Sequence, residues 1–357
     1  MISNIFISGS MAYDEIMVFP HHFKDYFHPE KLHQINVSFV VDDLAKHLGG
    51  IATNISYSLR LTNDYMKDTG PWTLNSKKMS QESRVKSLES KLNIYPVGAV
   101  GRDGDALLNF FKENKIDTKY VLKDEMLYTA TGKVITDMND NQIWGFYYGA
   151  AVRIPKFEIF NLKFLNKQIQ NDTNVENQFW IISATHEKPF TSVLRHVIKN
   201  RLPYLFDPGM TLTWIRDDLL KKGVLNATYV VGNDYEIAMI EKRLKMSVKE
   251  IVESGVNVIT TLGEKGVLFN GVQNKEMKKY TNEKIKAIKV RKVVDPTGAG
   301  DAWRGGFVGA LVTGRSIKEC LIMGNVMASF AVQAMGTVEY SVDKKEIERR
   351  VKTLDSK

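Results

Sequence analysis

The sequence has one cysteine among its 357 residues, Cys320, and no apolar run close to the length of a membrane span. A single cysteine excludes an internal disulfide and agrees with a reducing compartment. A membrane helix needs about 20 predominantly apolar residues, so we expect no membrane partner. The first residues also lack the charged head and long apolar middle of a signal peptide. We therefore predict a cytoplasmic protein.

The sequence also lacks the patterns of several functional classes. Its seven histidines show no metal-ligand spacing, which argues against a zinc site. The formal charge is +8, but the 49 basic residues are scattered without one dominant stripe, so no nucleic-acid partner is expected. A field of this sign favours a small anionic substrate such as ATP. The pattern G-x-x-x-x-G-K-[ST] is missing, which excludes a P-loop kinase.

What the sequence does contain is an alternation of short β-branched runs with helix-compatible segments over most of its length. This alternation predicts a mainly parallel sheet with helices on both faces, which is a three-layer α/β/α fold. We assign residues 1–357 to a single domain. Residues 62–92 interrupt the pattern with Asn, Lys, Ser, Thr and Asp, so we predict a surface insertion there, whose role the sequence does not define.

A glycine turn at residues 298–300 carries the most informative chemistry. The apolar stretch before it predicts a strand, and the spacing after it predicts a helix. Gly298 and Gly300 flank Ala299 and lack Cβ atoms, so backbone N–H groups can approach a ligand at the positive end of that helix. Such a turn predicts an anion hole for a phosphoryl oxygen. Asp301 follows directly, where its carboxylate can accept a proton from a hydroxyl, although a helix cap explains the same residue.

The run Asp-Pro-Thr-Gly-Ala-Gly-Asp, followed by Arg-Gly-Gly-Phe at 304–307, resembles the signature of the ribokinase-like (PfkB) carbohydrate and nucleoside kinases. The resemblance implies that the glycine turn holds the transferring phosphate and that Asp301 is the catalytic base. It also implies ATP and Mg²⁺, and a K⁺ site at Asp295 and Thr297. The family's small β lid would lie at residues 13–48, together with part of 120–131.

The acceptor site is predicted from three places. Asp14 follows the first strand, where open α/β sheets bind ligands, and the family holds two sugar hydroxyls with an aspartate there. Gly49 and Gly50, with Asn54 four residues after the second glycine, resemble the family's first signature, although a turn before a helix explains them equally. Phe146 offers a ring to a nucleobase, although an aromatic residue on a strand is more often part of the core.

The resemblance also implies a nucleotide site in the later part of the chain. Its predicted residues are Asn233, Glu236, Thr261, Gly263, Gly266 and Asn325. The family uses the first two to hold phosphates and the waters of Mg²⁺, but a capping box explains their spacing equally well. The glycine turn at 263–266 is expected under the ribose and phosphates, and the helix containing Asn325 flanks the adenine in the family.

Residues 136–150 and 207–209 resemble the adenosine-kinase-like branch more than ribokinase. The sequence thus predicts an ATP-dependent kinase that phosphorylates the 5′-hydroxyl of a ribonucleoside, with adenosine as the first candidate. A sugar kinase acting on ribose or fructose is the alternative. A non-catalytic nucleoside-binding regulator is a third hypothesis, against which the intact Gly-Ala-Gly-Asp argues. The partner is in each case a small molecule, and the sequence leaves monomer and homodimer open.

Overall fold

Two β-sheets organise the computed structural model, which describes residues 2–27, 37–69, 92–139, 141–154, 177–274 and 279–355. The strands in chain order are β1 (Asn4–Ser8), β2 (Ala12–Val18), β3 (Asp43–Gly49), β4 (Asn93–Val100), β5 (Val121–Lys123), β6 (Ala130–Thr136), β7 (Gln142–Tyr147), β8 (Gln178–Ser183), β9 (Tyr204–Asp207), β10 (Tyr229–Asn233), β11 (Asn257–Thr261), β12 (Val267–Asn274) and β13 (Lys279–Ile285). The α-helices are α1 (Ile51–Thr69), α2 (Asp105–Glu113), α3 (Glu187–Lys199), α4 (Asp217–Leu225), α5 (Asp234–Leu244), α6 (Val248–Glu253), α7 (Ala299–Val312), α8 (Ile317–Ala331) and α9 (Lys344–Asp355).

The larger sheet has nine strands in the order β13-β12-β11-β10-β9-β8-β1-β4-β5. All neighbouring pairs from β11 to β5 are parallel, and β12 and β13 add an antiparallel edge. Every residue of β1 and β8 is buried, as expected for parallel strands covered on both faces. The carboxyl ends of these strands therefore meet at one edge, where such sheets bind ligands.

Helices cover both faces of this sheet. On β1, Ile5 and Ile7 belong to one core cluster with Phe307 of α7, whereas Phe6 belongs to a second cluster with Trp180 of β8. The alternation follows from the two-residue period of a strand. The predicted three-layer α/β/α fold is confirmed. Within the described ranges, no helix combines the length and apolar character that a membrane span requires.

The smaller sheet has four strands in the order β3-β2-β6-β7, and it corresponds to the predicted lid. Its second pair of strands is the hairpin β6–β7. Of the predicted range 120–131, Ala130 and Thr131 lie in this sheet at the start of β6, whereas Val121–Lys123 pairs with β4 in the larger sheet. The polar turn of this hairpin is organised by Asp137. Its carboxylate accepts hydrogen bonds from the backbone N–H groups of Phe23, Asn139 and Asn141.

The boundaries of the predicted insertion need correction. Residues 62–69 continue helix α1, and Thr62 and Asn63 are buried. A Cβ atom added to Gly309 would lie 2.6 Å from Cγ2 of Thr62, so α1 and α7 are in close contact there. These residues cover the core despite their polar composition. Leu92 is also buried, and residues 70–91 lie outside the described part of the chain.

Candidate active site

The anion-hole turn begins α7 at the edge of the larger sheet. Gly298 is its N-cap, with φ of 74°, and a Cβ atom there would lie 2.9 Å from Cβ of Thr337. Glycine therefore satisfies both the left-handed backbone and the close packing. The strand predicted before this turn is absent from the structure, because β13 ends at Ile285 and residues 286–298 form no strand. Val293 is 54% exposed, so no apolar burial holds an extended strand there.

Asp301 lies in the first turn of α7, and its side chain is only 14% exposed. Its Oδ2 accepts a hydrogen bond of 2.8 Å from Nδ2 of Asn54. Burial raises the pKa of Asp301 to about 6, and Arg304 and the bond from Asn54 oppose this rise, whereas the charges of Asp207 and Asp14 add to it. A carboxylate with this pKa is ionised at neutral pH yet basic enough to accept a proton.

The structure gives Asn54 two contacts that were not predicted. Its amide oxygen accepts a hydrogen bond of 2.8 Å from Oγ1 of Thr337, while its amide nitrogen donates to Asp301. The side chain is 5% exposed and is engaged on both ends. Asn54 therefore orients Asp301 from α1, and its contact with a sugar hydroxyl stays a prediction. Thr337, which the sequence analysis missed, fixes the amide.

The lid presents a row of three residues in register. Asp14 on β2 lies opposite Gly132 on β6, which lies opposite Phe146 on β7, so all three share one face. A Cβ atom on Gly132 would lie 3.0 Å from Oδ1 of Asp14, and one on Gly49 would collide with Oδ2. Both glycines thus leave room for the carboxylate. Burial raises the pKa of Asp14 to about 6, partly offset by His47.

Gly50 has a backbone role that the structure shows, and its predicted contact with the acceptor stays a prediction. Its φ is 88°, and a Cβ atom would lie 2.6 Å from the backbone nitrogen of Ala12. The residue lets the chain turn from β3 into α1. There the backbone N–H of Ile51 donates to Oγ of Ser10, and that of Ala52 donates to the carbonyl of Ser10. Gly50 thereby holds the start of α1, which carries Asn54.

Aromatic rings border the same face of the lid. Phe146 is 44% exposed, and Trp144, two residues earlier on β7, is 50% exposed. Tyr148 packs edge-on against both Phe146 and His186, with ring centroids 5.0 and 5.1 Å apart. His186 is the N-cap of α3, at the carboxyl end of β8. The lid and the sheet edge together offer open ring surface beside Asp14, and only Phe146 among these rings was predicted from the sequence.

Asn233 and Glu236 form the capping box that was the alternative interpretation. Oδ1 of Asn233 accepts from the backbone N–H of Glu236, and Oε2 of Glu236 accepts from that of Asn233, both at 2.8 Å. The second carboxylate oxygen, Oε1, faces Gly209 at the sheet edge, and burial raises the pKa of Glu236. The structure describes no group of three or more metal-ligating side chains. One carboxylate suits Mg²⁺, which keeps several waters and binds mainly to substrate phosphates.

The turn after β11 holds the other predicted nucleotide residues. Oγ1 of Thr261 donates to the carbonyl of Gly232 at 3.4 Å. Gly263 has φ of 56° and open space where its Cβ atom would be, so a ligand can approach its backbone. Gly266, with φ of 96°, instead packs its Cα against the backbone of residues 285–287. Of these glycines, Gly263 is therefore the one placed for a ligand.

Asn325 makes three hydrogen bonds within the protein, and its predicted place in the nucleotide site stays a prediction. Its Oδ1 accepts a hydrogen bond of 2.9 Å from Nε1 of Trp303, and its Nδ2 donates to the carbonyls of Ile285 and Lys286. The side chain is 6% exposed. These bonds tie α8 to α7 and to the end of β13, so the amide serves packing.

The two residues predicted for K⁺ lie in the loop before the anion hole. Oδ1 of Asp295 accepts from the backbone N–H of Thr297, and Oδ2 accepts from that of Gly336. The carboxylate thus joins the loop to the turn at 336. Its strong backbone bonding explains Asp295 without a cation, so the K⁺ site stays a prediction.

A buried arginine, Arg304, follows the 298–300 turn on helix α7, and no role was predicted for it from the sequence. Arg304 stands one helical turn after Asp301, and its Nη2 donates to Oδ1 of Asp207 at 2.6 Å. Oγ of Ser183 donates to the other oxygen of Asp207 at 3.0 Å. Asp207 and Ser183 end strands β9 and β8, so the sheet edge holds the guanidinium. The three-residue spacing from Asp301 was the available signal in the sequence.

Backbone N–H groups and a carboxylate at one helix end suit phosphoryl transfer to a hydroxyl, and they place the protein among the phosphotransferases. The model of the pfkB family carbohydrate kinases matches residues 90–345, and the chain belongs to this family. The family resemblance seen in the sequence is therefore confirmed, and with it an enzyme that transfers a phosphoryl group to an alcohol.

Similar proteins cover most of the chain. Nucleoside kinase of Methanocaldococcus jannaschii is 26% identical over 315 residues, which is 87% of this chain and 87% of that protein. Ribokinase of Lactococcus lactis is 26% identical over 271 residues, which is 72% of this chain and 79% of that protein. The structure of Burkholderia thailandensis nucleoside kinase in complex with ADP-inosine has a TM-score of 0.70 and 25% identity, and the match covers 99% of this chain and 96% of that one.

Proposed function

We propose that the protein is an ATP-dependent kinase that phosphorylates the 5′-hydroxyl of a ribonucleoside, with adenosine as the first candidate. The observation that carries this proposal is the row of Asp14, Gly132 and Phe146 on the lid. A carboxylate accepts hydrogen bonds from two ribose hydroxyls, and an exposed ring stacks on a base. A free sugar has no use for the ring surface that Phe146 and Trp144 expose.

In this mechanism, Asp301 accepts the proton of the attacking hydroxyl, while Asn54 holds the carboxylate in place. The backbone N–H groups at 299–301 stabilise the transferring phosphoryl group, because they point along the positive end of α7. The lid excludes water that would otherwise take the phosphoryl group. A magnesium ion bound with ATP would neutralise phosphate charge, and Glu236 would hold it through water.

The similar proteins include nucleoside kinases and sugar kinases alike. Two of the three are named nucleoside kinases, and one of these was solved with ADP and inosine bound. The Lactococcus lactis protein is named ribokinase. Asp14 would hold ribose hydroxyls in either case. The choice of acceptor therefore rests on the aromatic rings.

The test is ADP release with adenosine, inosine, cytidine, ribose and fructose as acceptors, with Asp301→Asn as the control for contaminating kinases. Stacking adds about 1–3 kcal/mol, so we expect the best nucleoside to exceed ribose by roughly one to two orders of magnitude in kcat/KM. A better rate with ribose or fructose would establish the sugar kinase instead. Nucleoside binding without any ADP release would establish the non-catalytic regulator.

A further inference from the structure

Arg304 lies close to the proposed base, Asp301, and to the glycine turn proposed as the anion hole. Its Nη1 is 3.9 Å from Oδ1 of Asp301, and a Cβ atom on Gly300 would lie 2.6 Å from the same nitrogen. The arginine side chain is only 10% exposed. A guanidinium so far from water is stable only when carboxylates surround it.

Three carboxylates of the described chain share this one cation. Burial opposes the charge of Arg304, but Asp207, Asp301 and Glu236 together raise its pKa, so the guanidinium stays protonated. The direct hydrogen bond goes to Asp207, which Ser183 fixes from the neighbouring strand. Asp301 interacts with the same guanidinium electrostatically, at the longer distance of 3.9 Å. The pair of Arg304 and Asp207 is therefore placed to adjust Asp301 without occupying it.

A general base must be ionised before it can accept a proton, and the surroundings of Asp301 oppose that ionisation. Asp14 on the lid and Asp207 at the end of β9 are the negative groups that oppose its ionisation, whereas Tyr340, in the loop before α9, is neutral in this pH range. Among the side chains that the structure describes, only those of Arg304, on its own helix, and Asn54, on α1, are found to favour the charged form. Of these two, only Arg304 carries a charge.

We propose that Arg304 is a positioning residue that keeps Asp301 ionised as the base, and that Asp207 limits this effect by binding the guanidinium. The inference rests on the proposed role of Asp301. Its consequence is a pair of opposite effects. Loss of the arginine charge makes Asp301 harder to ionise. Loss of the Asp207 charge frees the guanidinium and removes a negative neighbour, so Asp301 becomes easier to ionise.

The experiment measures kcat/KM against pH for the wild type, Arg304→Gln, Asp207→Asn, the double variant and Arg304→Lys. An opposite charge at this distance lowers the pKa of a carboxyl group by about 1–3 units. Arg304→Gln should therefore move the acid limb of the pH profile to higher pH by on the order of one unit. Asp207→Asn should move the acid limb to lower pH, by a smaller amount. The double variant, which removes both charges, should return it close to the wild-type position. Arg304→Lys should lie between the wild type and Arg304→Gln.

Thermal melting and ATP binding report folding independently of turnover. If Arg304→Gln does not fold, Asp207→Asn and the double variant still give the two positions that decide the question. Reduced activity with an unmoved acid limb would overturn the inference and leave the pair a structural one. Substantial kcat in Asp301→Asn would instead overturn the role of Asp301 as the base, which is a different result.

Discussion

Two carboxyl groups of the site are buried, and burial favours their protonated form. For Asp301 and Asp14, burial raises the pKa from 3.8 to about 6. Such environments weaken folding at neutral pH, so they persist where chemistry needs them.

Asp301→Asn tests the chemistry first. We expect kcat to fall roughly 10²-fold to 10⁴-fold with ATP binding little changed, which steady-state kinetics and calorimetry would measure. A variant with most of its kcat would return Asp301 to a helix cap.

The same substitution should stabilise the protein at neutral pH. A raised pKa means that the protonated form of Asp301 favours folding, so this contribution is complete below about pH 4 and is lost as the pH rises through about 6. At pH 8 the asparagine variant avoids the buried charge and should gain on the order of 2 kcal/mol in unfolding free energy. The gain should shrink at pH 5. Equal gains at both pH values in denaturant unfolding would contradict the argument.

Phe146 separates the acceptor classes. We expect Phe146→Ala to raise KM for a nucleoside about tenfold or more while kcat at saturation stays near the wild-type value, because stacking is equal in ground and transition states. Ile143 lies on the opposite face of the same strand with similar exposure, 39% against 44%, so Ile143→Ala is the matched control. An unchanged ratio of nucleoside to ribose kcat/KM would show that the ring does not touch the base.

The sequence predicted the residues whose chemistry is local and missed those whose partners are distant. Gly298 and Asp301 were recognisable because the turn and the helix start are adjacent in the chain. Asn54 is 247 residues from Asp301, and Arg304 is 97 residues from Asp207. Those pairs exist only after the sheet has brought the elements together. The capping box at Asn233 is local, and the sequence accordingly offered it as an alternative.

At the scale of elements, α7 carries the base and packs between α1 and α8 through glycines. A Cβ atom on Gly305 would lie 2.7 Å from the backbone nitrogen of Leu59, and one on Gly306 would lie 2.7 Å from the carbonyl oxygen of Met323. Backbone atoms cannot move aside as flexible side chains do. The predicted strand at 288–294 and the insertion starting at 62 were wrong for a related reason. In both segments, burial in the assembled layers determined the structure, and it differed from what the local composition indicated. The polar residues Thr62 and Asn63 are buried in a helix, whereas the apolar Val293 is exposed.

Gly305→Ala should therefore destabilise the protein by about 1–3 kcal/mol, although alanine alone would favour the helix. It should also lower kcat, because α7 carries Asp301 and α1 carries the amide that orients it. Gly145→Ala is the control, since nothing lies within 4 Å of the added Cβ atom. Thermal melts and kinetics of both variants give the comparison. A fully stable Gly305→Ala would mean that the helices separate without cost.

The loop from 295 to 298 offers a test of the cation hypothesis. If K⁺ binds beside the anion hole, activity should rise when K⁺ replaces Na⁺ at fixed ionic strength. Asp295→Asn should reduce this difference, because a neutral amide oxygen is a weaker ligand than a carboxylate. Identical rates in the two salts would leave Asp295 with its structural role of joining the loop to Gly336.

At the scale of the whole molecule, each of the two sheets contributes one buried carboxylate to the proposed acceptor site. Asp14 comes from the lid and Asp301 from a helix on the larger sheet, and the negative charge of Asp14 opposes the ionisation of Asp301. In the proposed mechanism, binding needs Asp14 ionised to accept hydroxyl hydrogen bonds, and catalysis needs Asp301 ionised to accept a proton. Both carboxyl groups have a pKa raised to about 6, so the two requirements act over the same pH range.

This arrangement predicts a steep acid limb. Below about pH 5, log kcat/KM for the acceptor should fall with a slope approaching two, because two protons must leave before the enzyme is competent. In Asp14→Asn, the plateau should be lower and the slope should approach one. Glu15→Gln is the control, since Glu15 is the next residue on β2, points to the other face and pairs with Lys133 there. It should keep the slope of two. A slope of one in the wild type, with an intact protein by circular dichroism, would show that only one of the two carboxylates governs activity.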